Sequence, residues 1–306
     1  KKKLEEKCKT LLTFTCPCHS AALVAHAACA AIPPFCEEFL RKVATYITSS
    51  PKRSAVFKEF CECFQDTNRK LLKLCDTRWL SHYSCIDRIL ESWDTVQHFL
   101  NEMVVSEKTK SGEYLLSLMN NVDTKAYFLF LKYVLNCFNS FNAFFQAHET
   151  RIHLLHSKSV KFLMQISQNF LKPEACKDIL TNISFSEENN HKPVNDINLG
   201  IECEEYLNEL FTEGHADVIR NIRVNCMQFY VTAAEEITKR LPIHDKFLFK
   251  LQVFEPRIAL FDSNRETSFN DVSFISKHLG GFYDHGLKEE RLALYHNFTI
   301  DDKQSL

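Results

Sequence analysis

Glycine and proline are scarce in this sequence, with 6 Gly and 8 Pro in 306 residues. Since these two residues make most tight turns and helix breaks, their scarcity predicts long helices joined by few sharp turns. No apolar run approaches the roughly 18 residues that cross a bilayer, so we expect no membrane association. There is also no glycine-rich phosphate loop and no repeat of fixed period, which leaves the pattern of an ordinary helical protein.

Net charge is small as well. The formal charge is −2 at pH 7 and the pI is near 6.7. The composition therefore gives no global electrostatic reason to bind nucleic acid, and any DNA site has to be local.

The cysteines do not form a disulfide framework. There are 13, an odd number without framework spacing and without a signal peptide before them, which predicts reduced thiols in a nuclear or cytosolic protein. The chain begins at Lys1 rather than methionine, so we expect it to be a fragment.

Hydrophobic residues, by contrast, are plentiful. They make up 45% of the chain, beside 25% charged residues and 26 Phe, a balance typical of a soluble globular protein with thick helix-to-helix packing. A helix is predicted from Asp123 or Thr124 to about His148, apolar around most of its circumference. This helix is expected at the centre of a helical domain.

The segment Leu71–Met103 combines several signals. Leu71–Cys75 is compatible with a short buried strand, and Asp76 or Thr77 can cap the helix that follows. From Trp79 the large apolar side chains recur every three or four residues, which predicts one long amphipathic helix with a buried face. They are Trp79, Tyr83, Ile86, Leu90, Trp93, Val96, Leu100 and Met103.

Other elements follow from β-propensity, prolines and polar breaks. Leu11–Cys16 is predicted as a strand, and Ser184–Gly200 as an exposed polar loop or linker. The predicted helices include one capped by Ser20, then Phe35–Thr48, Ser54–Phe64, Gly112–Met119, Arg151–Leu171, Ala216–Arg240 and Leu287–Tyr295.

Three motifs, in this order, resemble the hAT (hobo and Activator) transposase family, in particular vertebrate domesticated relatives that carry BED-type or MYM-type zinc fingers. They are Cys16-x-x-His19, Ser50-Pro51-Lys52-Arg53, and Thr77-Arg78-Trp79-Leu80-Ser81. The match extends over about the first hundred residues.

The resemblance implies a mainly α protein with a remnant of a ribonuclease-H-like α/β core, whose strands would lie near 11–16 and 71–75. Residues 1–80 would be this partial core, with Cys16, His19 and Thr77 as structural motif residues. Residues 81–306 would be the family's helical insertion, with its polar loop at 184–200.

Family members cut and join DNA with divalent metal held by two aspartates and one glutamate. The resemblance places both aspartates upstream of Cys16, outside this chain, and the tail lacks the family's Glu-Arg-x-Phe-Ser signature. We therefore expect no enzyme activity and no metal cofactor in this chain. The family's carboxy-terminal dimerisation segment is also expected to be absent.

Arg78 and Trp79 are the candidate DNA contacts by resemblance, with the tryptophan stacked on a base and the arginine near phosphate. Lys52 and Arg53 are candidate phosphate contacts. The alternative interpretation is structural: Trp79 opens the buried stripe, Arg78 pairs with Asp76 or a helix end, and the lysines are ordinary solvated charges.

The cysteines and histidines near the amino terminus raise the question of a zinc site. Thiols and imidazoles between Cys8 and Cys29 are the ligand types that zinc prefers, but their spacing completes no four-ligand set. We expect packed thiols there instead.

Together these observations predict a transposase-derived nuclear protein, inactive as an enzyme, that binds DNA or associates with chromatin. A helical protein-interaction scaffold without DNA binding is the alternative, and a fragment of an active transposase is the third interpretation. Localisation is expected to be nuclear, with the cytosol as the alternative.

Overall fold

The fold is known from a computed structural model, which describes residues 12–66, 80–181, 183–261, 265–281 and 285–294 and the isolated positions 7 and 71. The helices in order are α1 Pro17–Cys29, α2 Pro34–Thr48, α3 Pro51–Cys63, α4 Leu80–Glu91, α5 Trp93–Glu107, α6 Lys110–Met119, α7 Val122–Phe145, α8 Leu155–Ser167, α9 Pro173–Lys177, α10 Ile201–Thr212, α11 Ala216–Arg240, α12 Lys246–Lys250, α13 Pro256–Phe261, α14 Arg265–His278 and α15 His285–Leu294. The prediction of a mainly α protein is confirmed.

The helix α7 is the centre of the structure, as its apolar circumference predicts. It packs against α1, α4, α8, α10 and α11. Phe130 and Phe138 are fully buried and meet Phe229 and Phe162 edge-to-face, with ring centroids 5.3 and 4.9 Å apart. Such aromatic pairs add about 0.5–1.5 kcal/mol each beyond the area they bury. These phenylalanine pairs therefore help to fix the positions of the helices that pack against α7.

The first helix lies along α11, so segments far apart in the sequence share a core. Ala21, Ala25 and Ala28 on α1 are fully buried, and their small side chains let the two helix backbones approach closely. Helices on both sides of residue 80 contribute to this one hydrophobic core. The division at residue 80 stays a prediction about the origin of the two segments.

The amphipathic segment after Trp79 forms two helices rather than the single long one predicted. The chain leaves helical geometry at Ser92, with φ −104° and ψ 21°, and α5 begins at Trp93. The break turns Trp93 inward to meet Phe128 edge-on at 6.2 Å. The apolar stripe itself is correct from Ile86 to Met103, because Ile86, Val96, Leu100 and Met103 are buried.

The first predicted strand is wrong over its described part. Residues 12–16 have no regular secondary structure, and no strand occurs anywhere in the described part of the chain. A strand needs a partner for its main-chain groups, and none is available here. The helix after it begins at Pro17 rather than Ser20, since proline lacks an N–H that the first turn would leave unpaired. Of the second predicted strand only Leu71 is described, so the ribonuclease-H-like remnant stays a prediction.

The polar segment 184–200 is packed onto the core rather than free. Phe185, Ile197 and Leu199 are buried. The Lys192 N–H donates to the Phe170 carbonyl at 2.8 Å, and the Lys172 N–H donates to the Asn190 carbonyl at 2.9 Å. More than half of these residues are exposed, as the polar composition predicts, but a few apolar anchors and main-chain hydrogen bonds hold the loop against the core.

The carboxy-terminal helices form a smaller cluster beside the main core. Leu155 on α8 joins Phe247, Leu248 and Val253 in this cluster. Among the described residues, no single helix is long and apolar enough to cross a membrane. The helices α1 and α2 reach that length and composition only as a pair, and they are bent by 112°.

Candidate nucleic-acid interface

The candidate DNA contacts of the third motif, Arg78 and Trp79, lie outside the described residues, as does Thr77. The first motif is described: Cys16 and His19 are both exposed, at and just after the start of α1. The Cys18 thiol between them donates to the Asn142 carbonyl at 3.7 Å. In the described part of the chain, no group of three or more His, Cys, Asp or Glu side chains could hold a metal ion.

The second motif builds the start of α3. Ser50 is extended, and its hydroxyl accepts a hydrogen bond from the Arg53 N–H at 3.4 Å, while Pro51 takes the first helical position. This arrangement satisfies one of the free N–H groups of the first turn. The cap fixes the residue at which α3 begins, and this sets the direction of the Lys52 and Arg53 side chains.

The Arg53 guanidinium makes its contacts within the protein. It donates to the Glu107 carboxylate at 2.8 Å and to the Tyr46 carbonyl at 2.9 Å, and it lies 4.1 Å from the Tyr46 ring centroid. Only 19% of the Arg53 side chain is exposed. These contacts tie α2, α3 and α5 together, so Arg53 acts as a positioning residue for this corner of the fold.

Lys52 points outward beside it. Its ammonium is 3.9 Å from Glu107, at the limit of an ion pair, and 67% of its side chain is exposed. Since Glu107 already accepts the Arg53 guanidinium, Lys52 is only partly neutralised. Of the two cations in this motif, Lys52 is the one that a ligand can reach.

The start of α6 lies against the same corner. Thr109 caps this helix by accepting from the Gly112 N–H at 3.2 Å, and its hydroxyl is 3.0 Å from the Tyr46 hydroxyl. Lys108, with a left-handed φ of 49°, precedes the cap, and Lys110 follows it. Both lysines are exposed. Neither has an ion-pair partner in the part of the chain that the structure describes.

We name Lys52, Lys108 and Lys110 the lysine corner. Two helices, α3 and α6, begin here, and each has a lysine in its first turn. A helix N-terminus carries a partial positive charge, so a lysine there costs about 0.3–1 kcal/mol where an aspartate or glutamate would stabilise. Lys108 differs, because it follows the end of α5, where a cation is favourable. The corner thus brings three exposed ammonium groups together beside the Glu107 carboxylate.

A cleft of about 420 Å³ adjoins this corner, with Tyr46 as a shared wall. Its cations are neutralised: Lys42 contacts Glu38 at 2.5 Å, and Glu38 also accepts from the Tyr114 hydroxyl at 2.7 Å. The hydrogen bonds from Lys42 and Tyr114 hold the pKa of Glu38 below its ordinary value. The exposed positive charge is therefore at the lysine corner rather than in the cleft.

Lys108 and Lys110 are not among the residues that the sequence pattern predicts for this site. The signal was present as Lys-Thr-Lys at 108–110, a threonine cap between two lysines, but it lies about 55 positions beyond Lys52 in the chain. The tertiary contacts of Tyr46 with Thr109, and of Glu107 with Lys52 and Arg53, bring the two segments together.

No family model, curated protein or solved structure matches this chain. The assignment to the hAT family consequently stays a prediction from the three motifs.

Proposed function

We propose that this chain is a transposase-derived nuclear protein that acts without catalysis and contacts the phosphate backbone of DNA through the lysine corner. The observation that carries this proposal is the convergence of three exposed lysines at the starts of two helices. Main-chain N–H groups and ammonium groups together favour an anion with several oxygens, as on a nucleic-acid backbone. The motif series supports the same function.

The proposal refines the set of candidate contacts. Lys52 keeps its role as a phosphate contact, and Lys108 and Lys110 join it. Arg53 positions the corner instead of reaching the ligand, because its guanidinium is used by Glu107 and Tyr46. Arg78 and Trp79 remain proposed contacts for an arginine–phosphate pair and a stacked base.

The test is a fluorescence-anisotropy titration of labelled duplex DNA at several salt concentrations. The triple variant Lys52→Ala, Lys108→Ala, Lys110→Ala should bind more weakly, and its slope of log affinity against log salt should fall by about 0.9 for each lysine that contacts phosphate. The control is Lys161→Ala, Lys177→Ala, Lys246→Ala, three exposed lysines outside the corner, which removes the same net charge.

Equal loss in the two triple variants would contradict a local site, since it would mean that only net charge matters. If the unmodified protein did not bind DNA at low salt, the proposal of DNA binding would be refuted.

The proposed role of Trp79 has its own test. Trp79→Ala should weaken binding to a hairpin with an unpaired base by about 1–3 kcal/mol and leave binding to intact duplex nearly unchanged. An equal effect on both DNAs would argue for the structural role of this tryptophan.

A second function, the helical protein-interaction scaffold without DNA binding, is favoured by one observation. The chain has a net charge of −2 and an apolar groove along α11, remote in sequence from the motifs. The third interpretation, a fragment of an active transposase, depends on carboxylates that the family places outside this chain.

A further inference from the structure

A groove runs along the outer face of α11, between this helix, α10 and residues 186–195. It consists of two depressions of about 660 and 620 Å³, which share Val194 and Val224 as a common wall. On α11 it extends from Asp217 to Val231, about 21 Å at a rise of about 1.5 Å per residue. We name it the α11 groove, with a first half around Asp217 and a second half around Val231.

Apolar side chains are exposed in this groove. Val224, at the centre, is 47% exposed, and Phe211, beside the first half, is 67% exposed. The second half has an apolar wall of Pro193, Met227 and Val231. Water-exposed apolar groups in a concave surface are a recurrent mark of an interaction site.

Both halves of the groove contain charges of both signs. The first half contains Asp217 and Arg220, and the second half contains Glu188, Lys172 and Lys192. Within the described residues none of these five has an ion-pair partner. The two ammonium groups of the second half donate only to main-chain carbonyls, those of Asn189 and Gln168, each at 2.7 Å. Their charges are therefore left to an external partner.

Two further polar side chains of the groove, Arg223 and His191, are paired within the protein. Arg223 is paired with Glu204 and also donates to the Ile197 carbonyl at 3.4 Å. The His191 ring is 2.7 Å from the Phe185 carbonyl. These groups hold the walls of the groove and do not contribute to its recognition charge.

We infer that the α11 groove binds the same groove of a second copy of this chain, around a two-fold axis that passes by Val224. Val224 is midway between Asp217 and Val231, so a half-turn about it exchanges the two halves of the groove. Asp217 of one copy then faces Lys172 and Lys192 of the other, and Arg220 faces Glu188. An isologous interface requires this kind of self-complementarity, and each half supplies the charges that the other half needs.

The same rotation pairs the apolar surfaces. The exposed Phe211 ring of one copy faces the wall of Pro193, Met227 and Val231 in the other, and the two Val224 side chains meet near the axis. Burial of the two exposed phenylalanine rings therefore supplies a substantial part of the association energy. A groove of this length is small for a permanent dimer, and we expect a reversible one with a micromolar dissociation constant.

Analytical ultracentrifugation of the full chain over a micromolar concentration series tests the proposal. The unmodified chain should associate, and Val224→Arg should be monomeric, because the substitution brings two guanidinium groups together at the axis. Val105→Arg is the matched control: Val105 is 72% exposed on α5, outside the groove, and its variant should associate normally. Circular dichroism on both variants verifies that each remains folded.

A charge exchange tests the register. Asp217→Lys and Lys192→Glu should each lose self-association, since both place like charges across the axis. An equimolar mixture of these two variants should associate like the unmodified chain, because both contacts in the mixed dimer pair a lysine with an acid.

A monomer at every concentration, or association that Val224→Arg leaves intact, would overturn self-association through this groove. If Val224→Arg dissociates the dimer but the charge variants do not restore each other in the mixture, the two-fold arrangement is wrong. DNA binding is measured separately at the lysine corner, so failure of one proposal does not affect the other.

Discussion

The hydroxyl groups of Tyr46 and Thr109 lie 3.0 Å apart and join the end of α2 to the start of α6. This contact fixes the lysine corner, because Thr109 is flanked by Lys108 and Lys110 and the Tyr46 ring lies against Arg53. Gly112, in the first turn of α6, packs against the same tyrosine. A Cβ at this glycine would be 2.8 Å from the Tyr46 hydroxyl oxygen, closer than real Cβ contacts allow.

Gly112→Ala is expected to destabilise the protein, although alanine normally stabilises a helix by about 1 kcal/mol relative to glycine. Tyr46→Phe alone is expected to cost about 1 kcal/mol for the lost hydrogen bond. In the Tyr46→Phe background, Gly112→Ala should be less harmful because the clashing oxygen is gone. Urea unfolding of the four proteins of this cycle measures the coupling. Additive effects would show that the contact is not tight in solution.

Alanine substitutions at Gly200 and Gly214 separate the cost of backbone strain from the cost of a steric clash. Both have positive φ, 90° and 89°, so alanine is strained at either position. A Cβ at Gly200 would be 2.5 Å from Cγ of Tyr133, whereas one at Gly214 meets nothing within 4 Å. We expect Gly214→Ala to cost about 1 kcal/mol for backbone strain and Gly200→Ala clearly more. Equal losses in a thermal melt would exclude the clash with Tyr133.

His156 should make stability depend on pH. Burial lowers the pKa of this histidine from its ordinary value of 6.5, against the opposing effects of the Ile243 carbonyl and Asp245. The unfolded chain therefore binds a proton more readily than the folded protein, so the contribution of this histidine is fully present above pH 6.5 and is lost as pH falls from there through the lower pKa of the folded state.

The variant His156→Gln tests this expectation. It should lose less unfolding free energy than the unmodified protein between pH 7.5 and pH 5, as measured by urea titrations at both values. Parallel losses in the two proteins would assign the acid sensitivity to other groups.

The thiols should divide into two classes of reactivity. Cys16 and Cys63 are exposed, whereas Cys29, Cys203 and Cys226 are buried. Burial raises the pKa of Cys203 to about 12 and raises that of Cys29 and Cys226 well above the ordinary value. Because the thiolate is the reactive form, a maleimide at neutral pH should label the first two rapidly and the other three only in denaturant. Peptide mapping by mass spectrometry distinguishes them, and rapid native labelling of Cys203 would contradict its burial.

The local sequence pattern predicted most helices because the residues that start, stop and bury a helix lie within it or next to it. Proline at the first turn, a continuous apolar face and a polar break define α2 and α11 within a residue or two. The pattern did not predict the break at Ser92, because the apolar spacing continues across it. What interrupts the helix is the packing of Trp93 against Phe128, a contact with a residue 35 positions away.

The predicted strand at 11–16 is wrong over its described residues, whereas the loop at 184–200 is largely exposed as predicted but is also anchored to the core. Apolar and β-branched residues favour a strand only when another strand is beside them, and none is present in the described residues. The polar loop is held by Phe185, Ile197 and Leu199, three apolar residues among many polar ones, and composition averages such anchors away.

By itself, the sequence determined that this protein is helical, that α7 is its centre, and that its motifs resemble a transposase family. Those properties depend on residue spacing and on the free energy of burying apolar side chains, which act along a local stretch of chain. Tertiary structure alone decided that Arg53 is held by Glu107, that Lys108 and Lys110 lie near Lys52, and that a groove with opposite charges runs along α11. These features depend on which distant surfaces meet when the core is packed, and no short segment encodes that choice.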